Sequence, residues 1–290
     1  MNVIMEKSPA TSRLADNRPA IRPPPVITTT DGLRLFHKDW GTGKPILFVH
    51  AWSMSSDFWE YQMYPLSKQG FRCVAFDRRG NGRSEDNGTG YDCDTLADDL
   101  AGVIEQLDLH DITLVGHSLG ASEVVRYLGR HGSSRVSRAV LIAGGTPPLM
   151  KSADNPQGVD REFFDANRAA MLADRAQWLR DNARPFFVAS TSESIIDWTV
   201  AMMMQSSLRA MIEMTHALSE TDLRPDLRSI DVPVLVIHGT ADESIPLTFG
   251  RRTQEYLTHG RTIEYQGAPH GLLVTHAARL NKDITTFIAT

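Results

Sequence analysis

The stretch Ile112-Thr113-Leu114-Val115-Gly116-His117-Ser118-Leu119-Gly120 decides how this 290-residue chain folds. An apolar run suited to a buried strand meets Gly-x-Ser-x-Gly, and a helical pattern from Leu119 to Arg130 follows at once. A strand, a sharp turn and a helix in so few residues hold the serine in a strained backbone conformation at the end of the strand. A side chain two positions to either side would collide within such a turn, which accounts for glycine at 116 and 120. The helix that starts after Ser118 aims its unsatisfied N–H groups at any negative charge developing there.

Outward from this point, short β-branched runs alternate with longer helical patterns. Strands are expected at Val26 to Thr30, Leu33 to Trp40, Pro45 to Val49, Arg72 to Phe76, Ile112 to Val115, Arg138 to Ala143, Val232 to Ile237 and Arg261 to Tyr265. The later runs are continuously apolar, as strands covered on both faces are. Helices are expected at Phe58 to Lys68, Thr95 to Leu107, Leu119 to Arg130, Leu247 to Leu257 and Ala277 to Ile288. That order specifies an α/β fold, a mostly parallel eight-stranded sheet flanked by helices. Only Asp31 and Gly32 separate the first two runs, which makes them a hairpin and an antiparallel edge.

The alternation breaks between Thr146 and Ile230. Four helical patterns occur there, Arg161 to Leu172, Arg175 to Phe186, Glu193 to Met204 and Leu208 to Leu218, with no strand among them. An insertion of that length between two sheet strands has to sit over one end of the sheet. Residues 146–230 are therefore expected to form a helical cap on a core built from 26–145 and 231–290. Residues 1–25 carry Pro9, Pro19, Pro23, Pro24 and Pro25 and no apolar stretch of signal-peptide type, and are expected to be a flexible N-terminal arm.

Composition narrows the function. Hydrophobic residues make up 41% of the chain, enough for a sizeable core. Thirty basic against 35 acidic residues leave a net charge of -5 with no long run of one sign, which argues against nucleic-acid or anionic-membrane partners. No run of about 18 apolar residues could form a transmembrane helix. Cys73 and Cys93 are too few for a disulfide framework or a Cys-rich zinc site, and a reducing, cytoplasmic location is the simplest expectation. Gly41-Thr42-Gly43-Lys44-Pro45 is neither a dinucleotide fingerprint nor a P-loop, and HExxH does not occur.

A serine hydroxyl needs a base, and the base needs an orienting acid. His270 follows the last strand, in Gly267-Ala268-Pro269-His270-Gly271, a loop at the sheet edge where open α/β sheets place their sites. Asp242, in His238-Gly239-Thr240-Ala241-Asp242, lies just beyond the preceding strand. The chain order Ser118, Asp242, His270 is the order expected for this arrangement. His117 sits beside the nucleophile on the tight turn and cannot easily face it, and His238 at its strand end reads as structural. Asp77, in a run from Asp77 to Ser84, reads as part of a hydrogen-bonded turn, and Glu243 is a minor rival for the acid. Two N–H groups are expected to form the oxyanion hole, those of Leu119 and, from His50-Ala51-Trp52-Ser53, of Trp52. Trp178, Phe186, Phe187, Trp198, Met202, Met203, Met204 and Met214 are candidates for an apolar pocket, although their helical spacing suits core packing as well.

Over residues 26–290 these features resemble the α/β-hydrolase superfamily, and within it the cofactor-free haloperoxidase, perhydrolase and arylesterase branch. The stretches that carry the resemblance are His50-Ala51-Trp52 with Asp57-Phe58-Trp59, Asp77 to Ser84, Gly116 to Gly120, Asp242 with Pro246, and Ala268-Pro269-His270-Gly271 with Thr275-His276. The chain departs from the pattern at Ala51, where the family usually has glycine, and at Ser53, where peroxide-using members often have proline. The resemblance implies a Ser/His/Asp hydrolase with a helical cap, without metal or organic cofactor. The expected reaction is hydrolysis of a small-molecule carboxylic ester through an acyl-enzyme. A neutral imidazole base then implies activity that rises through about pH 6 to 7. The alternatives are a perhydrolase or lactone/amide hydrolase using the same residues, and a small-molecule receptor of this fold with little turnover.

Overall fold

The computed structural model describes residues 26–290, so the expected arm over 1–25 lies outside the described residues. The strands are β1 (Val26–Thr28), β2 (Arg34–Trp40), β3 (Pro45–Val49), β4 (Arg72–Phe76), β5 (Ile112–His117), β6 (Val136–Ile142), β7 (Val234–Gly239) and β8 (Gly260–Tyr265). The helices are α1 (Glu60–Lys68), α2 (Cys93–Gln106), α3 (Leu119–His131), α4 (Arg161–Ala173), α5 (Arg175–Ala183), α6 (Glu193–Met203), α7 (Leu208–Glu220), α8 (Arg224–Ser229), α9 (Leu247–Tyr256), α10 (Leu272–Thr275) and α11 (Ala277–Ile288). The strands form one sheet in the order β1-β2-β4-β3-β5-β6-β7-β8, antiparallel at β1–β2 and β2–β4 and parallel elsewhere.

Period-two alternation places every central strand between two apolar layers. Ile46 and Phe48 of β3, Val140 and Ile142 of β6 and Leu235 and Ile237 of β7 share one layer with α1 and α11, through Met63, Leu66, Leu280 and Ile284. Leu47 and Val49, Ala139 and Leu141, and Val234 and Val236 share the other with α2 and α3, through Leu100, Val103, Ile104, Val124 and Val125. Most of these side chains lose all contact with water, and each contributes about 1.5–3 kcal/mol of burial free energy.

Several element limits differ from the sequence expectations for identifiable reasons. The β1–β2 connection spans Thr29 to Leu33, closed by the Thr29 N–H on the Leu33 carbonyl at 2.8 Å, and is longer than the two-residue turn expected. β5 and β7 continue through His117 and Gly239, because those residues still pair with Ile142 and Tyr265. α5 stops at Ala183 rather than Phe186, since Pro185 has no N–H and disfavours helix in the residue before it. The short helix α8 was not anticipated, although Pro225 in its first turn is a helix-start signal.

Between β6 and β7 the chain makes helices α4 to α8. They are tied to the loops that leave the C-terminal ends of the strands. The Trp52 Nε1–H donates to the Met211 carbonyl at 2.8 Å, Ser206 Oγ to the Ser53 carbonyl at 3.0 Å, and the Gly271 N–H to the Phe186 carbonyl at 2.8 Å. No helix among the described residues is long and apolar enough to cross a membrane.

Candidate active site

At the end of β5, Ser118 turns the chain with φ 55° and ψ -118° before α3 begins. A side chain at positive φ costs about 1–3 kcal/mol and persists only where its surroundings hold it. Here the Ser118 N–H donates to the Ile142 carbonyl and its own carbonyl accepts the Ala121 N–H, both at 2.9 Å. The flanking glycines are required by contact: a Cβ on Gly116 would overlap the Gly120 carbonyl, and one on Gly120 would overlap the Val49 and His50 carbonyls. The expected turn and its glycines are thus present, with α3 pressed against the end of β3.

Asp242 and His270 come together from the loops after β7 and β8. His270 Nδ1 donates to Asp242 Oδ2 at 2.7 Å, so Nε2 is the ring's free acceptor. The other carboxylate oxygen accepts the backbone N–H groups of Ser244 at 2.9 Å and Ile245 at 2.8 Å. Burial alone would raise the Asp242 pKa, but the neighbouring His270 and the hydrogen bonds from His238 and His270 outweigh it and hold the carboxyl far below its ordinary range. It is a buried, ionised acceptor faced by two imidazoles and two backbone N–H groups.

Two further histidines support this pair. His238 Nε2 lies 2.8 Å from the Ile245 carbonyl and 3.3 Å from Asp242 Oδ2, so that nitrogen carries the proton and faces both oxygens. His117 Nε2 donates to the His270 carbonyl at 3.0 Å, and its ring lies 4.9 Å from the His270 ring, centroid to centroid. Burial pushes the His117 imidazole well below its ordinary value, so it is a neutral donor bracing the His270 backbone. The i,i+4 spacing of His238 and Asp242 was the available signal for the His238 contact; nothing local announced that of His117.

Ser118 and His270 line one cavity of about 270 Å³, together with Ala51 and Trp52. Leu119 contributes no side chain to it and packs with Tyr91, Leu96 and Met214, as a residue needed only for its N–H can. Among the described residues neither the Trp52 nor the Leu119 N–H has a hydrogen-bond partner. Ala51 keeps an ordinary negative φ, and the loop reverses instead at Ser53, with φ 53° and the Met54 N–H on the Ala51 carbonyl at 3.3 Å.

The loop after β3, which carries Ala51 and Trp52, is held from beneath by Arg78, which sequence reasoning missed. Its guanidinium is fully buried and donates to the His50 carbonyl at 2.7 Å, the Ala51 carbonyl at 3.4 Å and Glu123 Oε2 of α3 at 2.7 Å. The Arg78 backbone N–H donates to His50 Nε2 at 2.9 Å, which leaves the proton on His50 Nδ1, 2.7 Å from the Ala51 carbonyl. Burial pushes the Glu123 carboxyl up to about 7, against the opposing pull of Arg78. The run from Asp77 to Ser84 was read as a turn, and Asp77 does cap it, accepting from Ser56, from the Arg83 N–H and from the Arg83 side chain. Nothing in that run distinguishes Arg78 as the arginine that passes under the neighbouring loop.

Of the eight candidate pocket residues, Trp178, Phe186 and Met203 line the cavity. Phe187, Met202 and Met214 are packed in the core, Trp198 stacks on Phe58 and Met204 is exposed. Phe163, Phe164, Met171, Ile245 and Phe249 are among the other apolar lining residues, and Glu243, a rival for the acid, stands on the cavity wall. Among the described residues no group of three or more His, Cys, Asp and Glu side chains could hold a metal ion.

A family model described as the alpha/beta hydrolase fold matches residues 44–277. The chain is 42% identical to the non-heme haloperoxidase of Rhodococcus erythropolis over 91% of its own length and 99% of the relative. It is 39% identical to the bifunctional esterase/perhydrolase DCH of Acinetobacter calcoaceticus, over 90% and 98% of the two chains. The crystal structure of bromoperoxidase from Bacillus anthracis superposes with a TM-score of 0.89 at 33% identity, covering 92% of this chain and 100% of that one. With fold, sheet order and sequence in agreement, the chain belongs to the alpha/beta hydrolase family, in the branch whose members carry the names non-heme haloperoxidase and esterase/perhydrolase.

Proposed function

We propose that this enzyme hydrolyses small carboxylic esters through an acyl-enzyme on Ser118. The observation that carries the reading is the His270–Asp242 hydrogen bond of 2.7 Å beside a cavity that also receives the strained Ser118. His270 Nε2 takes the Ser118 proton as Oγ attacks the ester carbonyl, and the alcohol leaves with that proton. Asp242 fixes the imidazole tautomer and stabilises the imidazolium. The N–H groups of Trp52 and Leu119 receive the oxyanion, each worth about 2.7–4 kcal/mol in the transition state. Water, deprotonated by His270, then cleaves the acyl-enzyme. In this reading residues 146–230 are a cap over a core of 26–145 and 231–290, and their helices choose the acyl group.

The test is Ser118→Ala assayed on p-nitrophenyl esters of graded acyl length, with a serine-directed phosphonate as active-site titrant. Turnover should drop to the residual of a disabled triad, and wild-type protein should take up one phosphonate per chain. Full turnover by the variant would reject the mechanism. The perhydrolase name of a close relative supports a second reading, in which hydrogen peroxide replaces water as the attacker and the acid leaves as a peracid. Peracid yield at fixed ester and rising peroxide separates the two.

A further inference from the structure

The cavity that receives Ser118 is mainly apolar, yet an arginine, Arg168, is among the residues that line it. Arg168 projects from α4, is 5% exposed and bounds the cavity from a different layer than Ser118, the inserted helices rather than the sheet edge. A buried cation is costly unless its donors are paired. Arginine has five N–H donors in a rigid planar fork, and the protein engages few of those on Arg168. Nη2 donates to Asp165 Oδ1 at 2.7 Å, one turn earlier on the same helix, where the carboxylate is more than half exposed. Nη1 reaches Thr215 Oγ1 only at 3.5 Å, and Glu220 Oε1 stays 3.9 Å from Nη2. Nε has no acceptor among the described residues. Purely structural pairing of α4 with α7 does not require an arginine on the wall of this cavity.

We infer that Arg168 recognises an acceptor oxygen at the end of the substrate remote from the reacting carbonyl, so that the favoured substrates are esters whose acyl chain bears a carboxylate or a second carbonyl. The low-polarity walls formed by Phe164 and Met171 strengthen such a hydrogen bond relative to water. Cleavage of the ester rests on the serine-hydrolase reading above; binding of the acceptor group does not require Ser118.

Three ester series of matched chain length test this: ethyl half-esters of dicarboxylic acids, ethyl esters of oxo-acids, and plain ethyl alkanoates. Wild-type kcat/KM should favour at least one acceptor-bearing series over the alkanoates by about tenfold or more, the size of a charge-assisted hydrogen bond. A larger gain with the half-esters marks anion recognition, and equal gains mark a neutral acceptor. Arg168→Met should bring that ratio close to one, and Arg168→Lys, with charge but no fork, should keep part of it for the half-esters. A wild-type ratio at or below one, or equal losses in all three series with Arg168→Met, overturns the assignment. Calorimetry in a Ser118→Ala background supplies a readout free of catalysis. Binding of the dicarboxylic or oxo-acids should weaken about tenfold when Arg168→Met is added, and unchanged binding also overturns it. Wild-type protein that binds these acids through Arg168 yet cleaves none of the esters would instead reject the hydrolase reading and keep the site.

Discussion

Asp242 serves two imidazoles and two backbone amides at once, and most of the site's organisation converges on that one carboxylate. Asp242→Asn removes the acceptor for His270 Nδ1–H and presents an N–H in its place or forces the other tautomer. On the proposed mechanism kcat should fall about 10⁴-fold, with the fold intact by circular dichroism. The depressed folded-state pKa also has a thermodynamic side. Asp242 contributes stability that is present above its unfolded value of 3.8 and is lost as pH falls through the lower folded value. The Tm difference between wild type and Asp242→Asn should therefore be widest near neutrality and narrow in acid. A gap that widens on acidification would contradict the assigned ionisation. Sequence could offer Asp242 and His270 as candidates, because a loop residue past a strand end has few alternative destinations. It could not identify His117 as the brace of the His270 backbone, since that contact joins the end of β5 to a loop 153 residues further on.

At the scale of elements, the decisive tie is the one Arg78 makes between α3, the β3 loop and the loop after β4. Glu123 reaches it from the helix that follows Ser118, so the serine turn and the loop after β3 share one buried ion pair. Arg78→Met strands a buried carboxylate and should cost about 3–5 kcal/mol of stability. The pH dependence has a definite sign. The folded-state pKa of Glu123 lies above its unfolded value of 4.5, so its protonated form is the one folding favours, and that contribution is lost as pH rises through about 7. Urea denaturation of Arg78→Met should show a smaller deficit at pH 5 than at pH 8, and the reverse order would refute the burial argument. The strands and helices themselves were legible because each carries its own period; the ion pair was not, because arginine and glutamate read equally well as surface residues of a turn and a helix.

Over the whole molecule, burial is uneven. All six residues of β5 and of β7 are buried, whereas α4 buries only Arg168 and Met171 of its 13 residues and α5 only Leu179 and Ala183 of nine. Local opening free energy follows buried contacts, so the amides of α4 and α5 should exchange with deuterium well before those of β3, β5 and β7. Ligand held at the cavity should slow exchange in α4 first. Uniform protection across sheet and inserted helices would show that the layers open as one unit. The same unevenness explains the sequence reading of the insertion, where four helices were legible by period but their packing was not. Half-buried aromatic and methionine positions point to a core or a cavity with equal ease, and only three of eight candidates line the cavity.

Short-range patterns in the chain sufficed for the α/β architecture and the strained serine turn, because periodicity and steric limits act within a few residues, and they offered Ser118, Asp242 and His270 as candidates. What only the tertiary structure decided are the contacts between elements distant in sequence: His117 beneath His270, Arg78 beneath the loop after β3, and Arg168 on the cavity wall. A buried polar side chain is tolerated only where partners arrive from elsewhere in the fold. Its role is therefore a property of the assembled layers, which no local window contains.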